Sequence, residues 1–143
     1  MTKGAELTEA LETCLRNIAQ VNGYLTDIKG VYGFAETKPD KAPLPCLLVT
    51  LESDDLDEMV GTTALRHAQY QICGVFPRNA TLQDMQRCHH DILRSIGLGQ
   101  LLPIRELKPG EGFEEGAVYE SGKDGSTQRQ VISTLSVRYV ERY

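Results

Sequence analysis

Cys88, His89, His90 and Asp91 stand side by side, and all four are residue types that ligate metals or carry protons. Their spacing decides what they can do together. The apolar positions around them recur as Leu82, Met85, Cys88 or His89, Ile92, Leu93 and Ile96, the repeat of an amphipathic helix. Consecutive side chains on a helix fan out by about 100°, so neighbours cannot close on one ion, whereas a pair at i, i+4 can. The spacing therefore favours a buried Cys88 beside partly exposed histidines. His67 could join a carboxylate such as Asp54 or Asp57 in acid–base chemistry, but no local spacing supports the pairing. A surface or hydrogen-bonded histidine is the simpler reading. Asp54, Asp55, Asp57 and Glu58 offer the oxygen ligands Ca²⁺ takes, without the fixed Gly and bidentate Glu of an EF-hand loop. They read as a solvated loop, with a second use as a charged patch for a neighbouring subunit.

The other chemical signatures are missing. There is no GxxxxGK[ST] loop to cradle phosphates and no GxSxG nucleophile elbow. Gly110-Glu111-Gly112 is too short and too acidic for a nucleotide site. The aromatics are few and not interleaved with basic residues, so a base-stacking surface is not expected. Cys14, Cys46, Cys73 and Cys88 are widely spread with no CxxC pair, which reads as free thiols. The expectation is no catalytic residue, no cofactor and no metal. A small metal-dependent hydrolase using His67, His89 or His90 is the lesser alternative.

These residues sit in a chain of 143, the size of one domain with an ordinary core. Hydrophobic residues make up 41% and charged residues 24%, so the composition is globular rather than disordered. The net charge of −5 argues against a general nucleic-acid binder, which neutralises phosphates with Lys and Arg. It allows a protein that DNA passes without sticking. No run approaches the roughly 18 apolar residues of a membrane span, and the first residues lack an apolar signal core. Synthesis in the cytoplasm is the expectation.

The elements that must position these side chains follow from periodicity. Leu7, Leu11, Cys14, Leu15, Ile18 and Val21 mark one face of a first helix, stopped by Asn22-Gly23. Residues 24–34 read as a strand region interrupted by Gly30 and Gly33, and 36–43 as a polar, proline-bearing loop. Cys46-Leu47-Leu48-Val49-Thr50-Leu51 suits a buried strand. Residues 65–76 alternate, with Leu65, His67, Gln69, Gln71, Cys73 and Val75 on one face and Arg66, Ala68, Tyr70, Ile72, Gly74 and Phe76 on the other. Pro77 ends that strand. Thr81 and Asp84 form a capping-box pattern before the second helix, which Gly97 and Gly99 close. Short strands are expected at 104–107 and 117–120, with turns at 108–112 and 121–126. A long final strand over 130–142 places Val131, Ser133, Leu135, Val137 and Tyr139 on one face. The predicted architecture is α/β (α+β): a mainly antiparallel sheet of four to six strands with two amphipathic helices packed on it, over 1–143 as a single domain.

Two segments carry a resemblance. The first helix runs into Asn22-Gly23-Tyr24-Leu25-Thr26-Asp27, and the proline-bearing loop ends in Leu44-Pro45-Cys46-Leu47-Leu48-Val49. Together with a long strand, a helix and a last strand ending Val137-Arg138-Tyr139-Val140-Glu141, they resemble phage and prophage tail-terminator-like (tail completion) proteins. The resemblance covers most of the chain in element order, and neither segment is a catalytic signature. It implies a structural, non-enzymatic virion protein. Such proteins form a hexameric ring that caps the tail tube, stops its polymerisation and joins it to the head-side connector, while genomic DNA passes through the lumen.

A ring of identical subunits needs head-to-tail interfaces that close. The loops expected at 36–43 and 110–125 are candidate contact arms. Six copies at −5 each would carry about −30, which suits a channel DNA must not adhere to. Another neck or tail-completion protein is the close alternative. An adaptor domain that adds a partner strand to its sheet edge is a further one.

Overall fold

The computed structural model describes residues 1–34, 36–97, 112–122 and 126–143. In chain order the elements are α1 (Lys3–Arg16), a 3₁₀ turn (Gln20–Asn22), β1 (Val31–Tyr32), β2 (Cys46–Val60), β3 (Thr63–Pro77), α2 (Leu82–Ile96), β4 (Gly112–Glu120) and β5 (Gln128–Arg142). The strands form one sheet in the order β1-β2-β3-β5-β4. Among the described residues only the β1–β2 pairing is parallel; the other three are antiparallel. The α+β architecture is as predicted, with a mixed rather than purely antiparallel sheet.

Both helices contribute to one apolar cluster with the inner face of the sheet. Leu7, Leu11 and Leu15 of α1 and Met85, Cys88 and Ile92 of α2 meet Tyr70 and Ile72 of β3 and Val131, Leu135 and Val137 of β5. Truncating one such leucine to alanine costs about 2–5 kcal/mol, because the cavity left behind does not collapse. The period-two faces read from β3 and β5 are the observed ones. Ala68, Tyr70 and Ile72 are buried, as are Val131, Ser133, Leu135, Val137 and Tyr139. The opposite face is half-buried, and the strand registers align Tyr32, Leu48, Cys73, Ile132 and Val118 in a row across it.

Five expectations need correction. Helix α1 ends at Arg16, capped by Asn17, and Val21 is 90% exposed instead of belonging to its buried face. Asn22-Gly23 does stop a helix, but it is the 3₁₀ turn, with Gly23 at φ 90°. The expected strand at 24–34 shrinks to two residues. The amides of Leu25, Ile28 and Lys29 bond to Asp91, to the Ile18 carbonyl and to the Pro45 carbonyl, not to a ladder.

The acidic stretch expected as a solvated loop is the second half of β2. Its 15 residues turn through Gly61 and Thr62 into β3. Gly61 has φ 59°, and no non-glycine residue among the described residues has positive φ, the pattern of a type II′ hairpin turn. Last, the expected turn at Gly112 and short strand at 117–120 are one strand, β4, so the proposed contact loop over 110–125 is largely a sheet edge. The strand expected at 104–107 lies outside the described residues, as do Gly99 and residues 108–111 of the expected turn.

Candidate functional site

The side chains with chemical potential are best followed from α2 outward. Thr81 accepts from the Asp84 amide and Asp84 accepts from the Thr81 amide, so the capping box is complete. These bonds hold the Asp84 carboxyl below its usual range. From that start the helix sends its four adjacent candidates to four different places. Cys88 is fully buried, and burial pushes its thiol up to about 12. His90 is exposed. Asp91 is fully buried and accepts the Leu25 amide with both oxygens, at 3.1 and 3.0 Å.

His89 turns to the β4 edge. Its Nε2 meets a carboxylate oxygen of Glu114, and its ring stands edge-on to Tyr119. The same Glu114 oxygen accepts from Ser133 Oγ at 2.6 Å. Serine, histidine and carboxylate are thus together, but in the wrong order for nucleophilic catalysis. An activated serine gives its proton to the imidazole, and the carboxylate stands behind the imidazole. Here the carboxylate lies between the two, and the serine donates to it. The cluster is a clamp that ties α2, β4 and β5 together.

His67 lies on the opposite, half-buried face, with its Nε2 on Ser136 Oγ. Its cross-strand neighbour is Asp55. The two carboxylates considered for it are engaged elsewhere. Asp57 lies 3.8 Å from Arg138. Asp54 points to the helix side, where Oδ1 accepts Arg66 Nε at 2.9 Å and Oδ2 accepts Tyr139 Oη at 2.5 Å. Burial first, and then the hydrogen bond to Asp54, push the Tyr139 phenol well above its usual range. Tyr139 is therefore a proton donor, not a base. This cluster lines an open groove of about 510 Å³ beside the first turn of α1, whose amides at Lys3 and Gly4 donate to Glu141. Among the described residues no three His, Cys, Asp or Glu side chains gather as a metal-binding group.

Two further surface features stand at the two ends of β2. At the far end the β2–β3 hairpin projects. β1 pairs only with Leu47 and Leu48, so beyond Leu48 the outer edge of β2 has no strand partner among the described residues. Register shifts at Leu51/Ser53 and Leu56/Glu58 bulge it. Acidic side chains and bulges are devices that block edge-to-edge pairing. The tip nevertheless exposes Leu56, Met59 and Val60, the last at 67%.

At the near end a groove of about 370 Å³ opens between the segment after the 3₁₀ turn, the start of β2 and the end of β3. Leu25, Pro45, Phe76 and Pro77 give it apolar walls, and Lys29 and Arg87 stand at it. The peptide before Pro45 is cis, and the Pro45 carbonyl accepts the Lys29 amide at 2.8 Å. The segments 22–27 and 44–49, far apart in the chain, thus meet at one surface feature.

Sequence reasoning missed the roles of Asp91, Glu114 and the Asp54–Arg66–Tyr139 cluster. One signal was present: Arg66 falls on the apolar face of its strand, and a charge placed there must find a partner. No known family model matches the chain, and no curated protein matches it.

Proposed function

We propose that this chain is a structural subunit of a phage tail, a tail terminator whose copies close into a hexameric ring on the tail tube. The ring stops tube polymerisation and receives the head-side connector, and genomic DNA passes its lumen without sequence-specific binding. The proposal assigns the chain to the virion and gives it no catalytic step.

The observation that carries the reading is the convergence of 22–27 and 44–49, the two segments on which the resemblance rests. Leu25, Thr26 and Asp27 of one and Pro45 of the other line a single groove. The β1–β2 pairing and the Lys29–Pro45 hydrogen bond bring the two stretches together. Leu56, Met59 and Val60, exposed at the other end of β2, offer apolar surface that a neighbouring subunit could cover. His67 bonds to Ser136 and His89 to Glu114, on different sides of the sheet, and His90 is exposed, which gives the hydrolase alternative no assembled site among the described residues. No helix among the described residues is long and apolar enough to cross a membrane.

The test is capping. Purified protein added to tail-tube subunits during polymerisation is expected to arrest elongation and to sit at the head-proximal tube end in electron micrographs. Binding at the portal instead indicates another neck protein. Tubes that elongate unchanged contradict the reading.

A further inference from the structure

We propose that Ser136 is an activated nucleophile: with His67 and Asp55 it forms a serine–histidine–carboxylate row, on the sheet face away from the helices, that attacks small activated esters. Ring assembly neither needs this reactivity nor forbids it. Unlike the metal-dependent alternative, the row needs no ion.

The three residues come from three neighbouring strands. His67 stands on β3, with Asp55 of β2 directly opposite it on one side and Arg138 of β5 on the other. Ser136 lies two residues before Arg138 on β5, opposite Gln69, so it is the diagonal neighbour of His67. Opposed residues, and alternate residues of one strand, share a face. All four therefore lie on the side away from the helices. Ser136 Oγ and His67 Nε2 are hydrogen-bonded. The imidazole thus stands between the hydroxyl and the carboxylate, which is the order nucleophilic catalysis requires. The His89–Glu114–Ser133 clamp lacks that order.

Asp55 is exposed and forms no hydrogen bond or ion pair among the described residues. Opposed Cβ atoms in a sheet are about 4.5–5.5 Å apart, which puts its carboxylate within reach of His67 Nδ1. A carboxylate there keeps the proton on Nδ1 and leaves Nε2 free to take the serine proton. Arg138, whose Nε is 3.8 Å from Asp57, is the cation on this face nearest in sequence to Ser136, suited to an oxyanion forming beside the hydroxyl. Gln69 gives its side-chain amide to Glu115 at 2.6 Å and does not compete for the hydroxyl. Ser136 and His67 are half-buried, which suits a small acyl group. In the proposed step Ser136 Oγ bonds to the ester carbonyl carbon, its proton passes to His67 Nε2, and the carbonyl π pair moves onto oxygen. That pair then re-forms the carbonyl, the bond to the leaving oxygen breaks, and the alcohol departs with the proton held by His67. Water repeats the sequence on the acyl-serine, releasing the acid and restoring Ser136.

The test is acylation by p-nitrophenyl acetate, followed by nitrophenolate absorbance, with the labelled residue located by peptide mass spectrometry. The label is expected on Ser136, about a hundredfold faster than in the urea-unfolded chain. Ser136→Ala should remove that labelled peptide, and His67→Gln should slow acylation about a hundredfold. Asp55→Asn should slow it about tenfold, less than the loss of a buried carboxylate would, and Asp55→Glu should recover part of the rate. His90→Ala, exposed and outside the row, should react as the wild type does. None of the three row residues belongs to the apolar core cluster, so the variants are expected to melt like the wild type. If Ser136→Ala or His67→Gln unfolds, the wild-type label and the two Asp55 variants decide. Labelling of Ser136 no faster than in the unfolded chain overturns the proposal. So does labelling that survives His67→Gln at full rate, or that settles on lysines alone. An Asp55→Asn rate equal to the wild type removes the carboxylate and overturns the row.

Discussion

Tyr139 on β5 donates to Asp54 on β2 at 2.5 Å, across the intervening strand β3. Arg66 of β3 holds the other carboxylate oxygen, so three neighbouring strands are tied by one polar bridge at the root of the projecting hairpin.

Tyr139→Phe removes the donor and leaves Asp54 to Arg66. The expected loss is about 1.5–3 kcal/mol, the range for a hydrogen bond to a charged group, read from urea unfolding. The pH dependence has a definite sign. The folded Tyr139 pKa lies above its unfolded value, so its contribution is complete below about pH 10 and is lost as pH rises toward the folded value. Tyr70 is shifted the same way by burial, so both proteins weaken in alkali. The wild type should weaken more steeply, and the gap to Tyr139→Phe should narrow above about pH 10. Parallel stability curves would contradict the bridge.

The thiols should be inert in the native state. Burial pushes Cys88 up to about 12 and Cys73 up to about 11, leaving about one thiolate in a thousand or fewer at pH 8. A disulfide reagent should label Cys88 at that pH only as fast as the chain unfolds, and half-buried Cys73 slowly but ahead of it. Rapid labelling of Cys88 in the folded protein would place it elsewhere.

Asp91→Ala should cost about 1–3 kcal/mol, because the Leu25 amide loses both of its acceptors. Asp91→Asn keeps one acceptor oxygen and should recover part of the loss. Equal stability of both variants to the wild type would show that the amide has another partner.

Glu114→Ala should free His89 and Ser133 together, since one carboxylate oxygen serves both. Hydrogen exchange in β4 is expected to rise well before exchange in β3 and β5, whose ladder lies inside the sheet. Unchanged protection of β4 would mean that the clamp is not what holds the edge.

Much of this fold was legible because its signals are local. The alternation of Val131, Ser133, Leu135, Val137 and Tyr139 is a strand face written directly in the chain, and Thr81 with Asp84 announces a helix start. Other parts depend on distant partners. Residues 24–34 look strand-like, yet Leu25, Ile28 and Lys29 spend their amides on Asp91 of α2, on Ile18 just past α1 and on Pro45 just before β2. The run from Asp54 to Glu58 looks like a loop because carboxylates are depleted in strands. It is held extended by β3 on one side, and its charges serve the exposed edge. Val21 keeps helical spacing although the helix has already ended, since Ile18 bonds back to Leu15 and the chain turns away. At the candidate site, the types of Asp54, Arg66, His89 and Asp91 were visible, but their pairings cross the sheet and could not be read from spacing.

The most direct measurement of the central claim is the native mass of the purified protein across a range of concentrations. A closed species near six times 15.9 kDa is the predicted result. A single mass of 15.9 kDa at every concentration, unchanged when tail tubes are added, would contradict the ring and the function proposed for it.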